Sequence, residues 1–189
     1  MSTAKRLHYS YTEYLRALED SDLKLEFCDG VIYAMAGGTP AHAFLGAAMV
    51  RILGQGLLGR CRVSKSDLKV HVEATGLSTF PDAAVICGEL KSPQLDVNSV
   101  SNPVLLVEVT SPSTEDYDRG DKLSNYKQIS SLRGVLFVSH RMKTITVVER
   151  AATGWNERDF RSGEVVSISE PAVQFKVDDI YSGVTLDPA

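Results

Sequence analysis

A chain of 189 residues, 43% apolar and 23% charged, is long enough to bury a core and is expected to form one domain. Its net charge of −4 argues against a protein that coats or packages nucleic acid, but not against a nuclease, whose carboxylates lower the total while local basic patches hold phosphates. No run approaches the roughly 20 apolar residues of a membrane helix, and no apolar stretch follows Lys5 and Arg6 as in a secretory leader. Cys28, Cys61 and Cys87 are odd in number and widely spaced, so reduced thiols and a cytoplasmic location are expected.

Thr12 stands where an N-cap belongs, ahead of a short polar helix over Glu13 to Glu19. Leu23, Leu25 and Phe27 alternate with Lys24 and Glu26, the period of a half-buried strand. Asp29-Gly30 then separates that strand from Val31 to Met35, which makes a hairpin. Thr39 and Pro40 open a helix in which Phe44, Leu45, Ala48, Met49, Ile52 and Leu53 recur at threes and fours. Leu68, Val70 and Val72 mark another strand, and Pro81-Asp82 leads into an apolar run from Ala83 to Cys87. The polar segment from Gly88 to Pro103 is expected to be a surface excursion near the functional site.

Val104 to Val109 is nearly all apolar, as in a strand buried on both faces, and Glu108 alone breaks it. Ser111-Pro112-Ser113-Thr114 caps a helix over about Glu115 to Ile129, followed by strands at Val135 to Val138 and Thr144 to Glu149. The tail adds short strands near Val165-Val166 and Phe175-Val177 and a helical turn at Asp179 to Tyr181. The sum is a mixed α/β layout without internal repeats.

Glu108 is the most informative residue, because a carboxylate is costly to bury unless it is paired or bound to metal. Asp82 opens a second apolar strand. Two neighbouring strands with such residues near their ends can aim both carboxylates at one hard cation such as Mg²⁺, with Mn²⁺ as its substitute. Cleavage of a phosphodiester also needs a cation near the phosphate. Lys122 is the candidate, since Asp118, Lys122 and Tyr126 lie four apart and share a helix face. Basic patches lie at Arg60, Arg62, Lys65 and Lys69 and from Arg119 through Lys127. Ser111 and Ser113 lack a Gly-x-Ser-x-Gly frame, and the glycines near Gly54 to Gly59 lack a phosphate-loop context.

Glu26 with Asp29-Gly30, the helix bearing His42, Pro81-Asp82, the run Val107 to Ser113, and Asp118 with Lys122 and Tyr126 together resemble the Uma-type restriction-endonuclease family. That family lies in the PD-(D/E)XK nuclease superfamily, and the resemblance covers about Tyr11 to Glu149. It implies a restriction-endonuclease-like core over about 23–150, with an N-terminal helix and hairpin extension and a strand-rich tail over 151–189. It also implies a Mg²⁺-dependent endonuclease acting on DNA, with Asp82 and Glu108 as metal ligands and Glu26 as a further acidic member. His42 and Tyr126 are weaker candidates for substrate contact. The superfamily's lysine would fall at Thr110, so its role passes to Lys122. The alternative is a catalytically silent module of the same fold that binds nucleic acid or a partner. A homodimer is expected by analogy with nucleases that cut both strands.

Overall fold

The computed structural model describes residues 8–35, 37–111 and 114–188. Lys5, Arg6, Pro112 and Ser113, which entered the reading of the sequence, lie outside them.

Helix α1 (Tyr11–Glu19) starts two residues earlier than Thr12 suggests. Ser10 is its N-cap, exchanging hydrogen bonds with Glu13 in a capping box. Strands β1 (Leu25–Cys28) and β2 (Val31–Ala34) form the expected hairpin. Asp29 and Gly30 turn it with positive φ values of 48° and 74°, a conformation that Asp tolerates and glycine adopts freely. Helix α2 (Pro40–Gly56) begins at Thr39, whose hydroxyl accepts the His42 amide.

Eight strands follow in two groups around a central helix: β3 (Cys61–Lys65), β4 (Lys69–His71), β5 (Ser78–Thr79), β6 (Ala83–Cys87), β7 (Ser99–Val100) and β8 (Leu105–Val109) before it, β9 (Gly134–Val138) and β10 (Thr144–Arg150) after it. The helix is built from α3 (Glu115–Tyr117), a π-helical turn (Asp118–Lys122) and α4 (Leu123–Tyr126). It ends three residues short of the sequence-based expectation, with Ile129 in a following turn. The tail supplies β11 (Trp155–Arg161), β12 (Val165–Ile168), β13 (Val173–Lys176) and α5 (Val177–Tyr181).

The main sheet runs β11-β10-β9-β8-β6-β3, with β8 and β9 parallel and the other pairs antiparallel. A second, mixed sheet runs β2-β1-β5-β4-β7. Alternation along β8 divides its side chains between two cores. Leu105, Val107 and Val109 pack with α2, β12, β13 and α5, while Leu106 packs with Leu123, Tyr126 and Val70 on the opposite face. The tail thus joins the same core as α2, and β11 extends the main sheet. This is a mixed α+β fold with mixed sheets.

Three expectations are corrected. Cys61 and Cys87 are not reduced thiols. They stand opposite each other in the β3–β6 register with Cα atoms 4.2 Å apart and form a disulfide, whereas Cys28 is free. The antiparallel ladder closes a sequence gap that looked prohibitive. The Gly88 to Pro103 segment is not beside the site, because Asp96 anchors it to Lys69 and Tyr11 at the second sheet. For the same reason Lys69 is no surface basic residue but a buried partner of Asp96.

Candidate active site

Antiparallel pairing of β6 with β8 sets Ala83 opposite Val107, so Asp82 comes beside Glu108 at one end of the two strands. The Val109 amide donates to Asp82 Oδ2 at 2.7 Å, which fixes that carboxylate against the strand end. From the first turns of α2, His42 Nε2 approaches the same oxygen at 3.3 Å. That hydrogen bond to Asp82 raises the imidazole pKa against the opposing effect of burial.

Glu108 is 4% exposed. Its Oε1 accepts the Tyr126 hydroxyl at 2.6 Å and lies 3.0 Å from Lys122 Nζ. The same ammonium lies 3.3 Å from Asp118 Oδ1 and 3.4 Å from Glu26 Oε1. Glu26 is expected among neighbours in one sheet with Asp82 and Glu108, but it comes from β1 in the second sheet, where Thr79 donates to it. The site therefore bridges the two sheets. The π-helical turn carries both Asp118 and Lys122 inward, a widened helical turn of the kind that recurs at functional sites.

Burial pushes the Glu108 carboxyl up to about 8, with Lys122 partly offsetting it and Asp118 and Asp82 adding to it. Burial works to lower the Lys122 pKa, but Glu108, Tyr126, Glu26 and Asp118 outweigh it and hold the ammonium well above its ordinary value. Tyr126 is raised by burial and by Glu108, so its hydroxyl stays a donor.

These groups border a cavity of about 410 Å³. Glu26, His42, Asp82, Glu108 and Lys122 all line it, while Tyr126 is fully buried behind Glu108. Substrate contact by Tyr126 is thus corrected to support of Glu108. Thr110 shares the Glu108 face of β8 and lines the cavity too, and it is Lys122 that brings an ammonium to Glu108 from the helix. Sequence reasoning passed over Tyr117, His140 and Asp187, which line the same cavity. The only hint was position, since His140 stands two residues after the buried strand β9. Asp187 reaches the mouth because its amide donates to the His140 carbonyl and its carboxylate accepts the Thr39 hydroxyl at 2.6 Å.

Among the described residues no three His, Cys, Asp or Glu side chains stand close enough together to form a metal-binding group. The donor chemistry nevertheless fits a hard cation. Five carboxylates (Glu26, Asp82, Glu108, Asp118 and Asp187) face one lysine and two histidines around the cavity, and Mg²⁺ commonly takes only one or two carboxylates and keeps its waters.

Residues 11–180 match the family model Uma2, described as "Putative restriction endonuclease". An uncharacterized protein of Synechocystis sp. is 34% identical over 176 residues, spanning 91% of this chain and 90% of that protein. A second from the same organism is 30% identical over 127 residues, spanning 67% and 72%. A crystal structure from Anabaena variabilis, described as "a putative nuclease belonging to DUF820", superposes with a TM-score of 0.71 at 16% identity. It covers 92% of this chain and 98% of its own, a likeness of fold.

Proposed function

The chain belongs to the Uma2 restriction-endonuclease family, and from that premise we propose that it hydrolyses DNA phosphodiester bonds with the help of a divalent cation, Mg²⁺ or Mn²⁺. The observation that carries this reading is the Lys122 ammonium, 3.0 Å from the buried Glu108 carboxylate in the cavity that Asp82 also lines. It restores from a helix the cation that Thr110 cannot supply from the strand.

Asp82 and Glu108 would hold the cation, which when bound supplies Lewis acidity and offsets the charge of the phosphate. Glu26 and Asp118 keep Lys122 protonated and fixed in place. Lys122 orients the attacking water and donates to a phosphate oxygen as negative charge develops there. Tyr126 and the Val109 amide hold the two carboxylates in their orientations, a supporting role of the kind that tunes metal sites. His42 holds Asp82 from the other side.

A second groove, of about 750 Å³, adjoins the cavity and shares His42, Phe80 and Asp82 with it. The small residues Ala43, Gly46 and Ala47 floor it along α2, and Lys24, Arg51 and Lys65 flank it. A polyanionic strand running past the cavity suits such a groove better than a small metabolite does. A two-fold dimer would present two such sites to the two strands of a duplex, and sedimentation measurements test that arrangement.

Thr110 favours a second reading, a silent module that binds nucleic acid without cutting it. Plasmid nicking in Mg²⁺ and in Mn²⁺ decides between the two. Wild type is expected to nick and Asp82→Ala to lose both nicking and the metal-induced rise in melting temperature. Wild type that is stabilised by metal and binds DNA but leaves every plasmid intact establishes the silent module instead.

A further inference from the structure

Four buried side-chain polar atoms lack a hydrogen-bond partner among the described residues: Thr110 Oγ1, Tyr117 Oη and both ring nitrogens of His140. Buried polar groups are rarely left unpaired, so each such atom asks for an explanation. The three residues that own these atoms all line the cavity that Asp82, Glu108 and Lys122 share. The unmet hydrogen-bonding capacity is therefore gathered at one place rather than scattered through the core.

Thr110 and His140 are each 1% exposed. They leave the backbone at the ends of the parallel strands β8 and β9, which are tied there by the Thr110 amide donating to the Val138 carbonyl at 2.9 Å. Packing holds both side chains in position without engaging their polar atoms. The carboxylates around them are already occupied: Asp82 by Val109 and His42, Glu108 by Tyr126 and Lys122, Glu26 by Thr79 and Lys122, Asp187 by Thr39. Two hydroxyls and an imidazole N–H remain, and all three can donate. What satisfies these three donors is a group rich in acceptor oxygens, while the second imidazole nitrogen can accept a hydrogen bond from water.

We propose that Thr110 and His140, with Tyr117 beside them, bind phosphate oxygens of the substrate strand within the cavity. This subsite rests on the nuclease reading above and adds to it the residues that receive the strand. It also gives Thr110 a purpose of its own. Where the resemblance places a lysine, this chain has a neutral donor, and the charge comes from Lys122.

The test uses apolar replacements of similar shape, Thr110→Val and His140→Leu. An unpartnered buried hydroxyl or imidazole adds nothing to the free protein, so removing it should leave the melting temperature without DNA unchanged or higher. Affinity for a short fluorescein-labelled duplex, read by anisotropy in Ca²⁺ to separate binding from cleavage, should weaken about tenfold in each variant. A lower melting temperature with unaltered duplex affinity would overturn the subsite, because both residues would then be serving the fold. Equal duplex affinity in all three proteins overturns it as well, while leaving the nuclease reading intact. Should wild type bind no duplex, the nuclease reading fails, and inorganic phosphate becomes the probe. A phosphate-induced rise in melting temperature that both variants lose keeps the subsite, and one that they retain removes it.

Discussion

Lys122 and Glu108 form a buried ion pair at 3.0 Å in which neither partner is complete without the other. Removing the ammonium leaves Glu108, Asp118 and Glu26 facing one another with no cation, so Lys122 holds up the fold as well as the chemistry. Lys122→Met is expected to lose DNA nicking and to destabilise the metal-free protein by about 3–5 kcal/mol. Millimolar Mn²⁺ should restore part of that loss by occupying the carboxylates. Urea unfolding with and without Mn²⁺ measures both effects, and a variant as stable as wild type in EDTA contradicts the role assigned here.

Glu108 also sets a pH dependence. In the folded, metal-free protein burial raises its pKa from the ordinary 4.5 to about 8. Between those values the folded state binds more protons than the unfolded chain. The stability present below about pH 4.5 is therefore lost as pH rises towards about 8. His42, also raised, contributes with the same sign above its ordinary value of 6.5. Glu108→Gln should thus gain on wild type by up to a few kcal/mol between about pH 5 and about pH 8 in EDTA. Metal affinity of wild type should weaken as pH falls through this range, because the ligand must ionise. A constant difference between the two proteins across these pH values contradicts the assignment.

Lys69 and Asp96 make a second buried pair, at 2.9 Å, away from the cavity. The Tyr11 hydroxyl donates to the same Asp96 oxygen at 2.6 Å, tying α1 to the segment before β7. Lys69→Met should cost about 3–5 kcal/mol, since it strands a buried carboxylate, and should leave DNA affinity unchanged once the protein is folded. Thermal melts paired with anisotropy check this. Reduced affinity at full folding would draw the second sheet into substrate binding.

Arg51 is exposed on α2 and flanks the groove beside the cavity. If a strand runs along that groove, Arg51→Ala should weaken binding of unrelated duplexes alike and lower the slope of log affinity against log salt by about one. Its melting temperature should not change. An unaltered salt slope places the DNA path elsewhere.

Most of the main sheet was legible because its inner strands carry a plain signal. β6, β8 and β9 are continuous apolar runs, and a lone Glu in one of them stands out. The edge strands were not legible. β11, from Trp155 to Arg161, buries only Phe160, and β3 alternates weakly, because a strand with one neighbour and a wet face needs little apolar patterning. Glu26, Asp82, Glu108 and Lys122 could be read as outliers in charge or spacing. Their meeting across two sheets could not, and neither could the arrival of His140 and Asp187, whose placement depends on how β9 ends and where the tail crosses α2.

The two edges of the main sheet are guarded by different means. β11 presents Glu157, Arg158, Asp159 and Arg161, and alternating charges of this kind discourage a second chain from adding a strand. β3 is instead stapled to β6 through Cys61 and Cys87. Because β6 is also paired with β8, a slip of one residue in the β3–β6 pairing would turn the side chains of the edge strand β3 to the opposite face and leave β6 and Asp82 where β8 holds them. The staple thus fixes the register of the edge strand, while the aim of Asp82 rests on the β6–β8 pairing and the Val109 amide. Cleavage of that bond by a reductant would therefore loosen the edge of the sheet far from the cavity, whereas the free Cys28 lies on β1 two residues from Glu26.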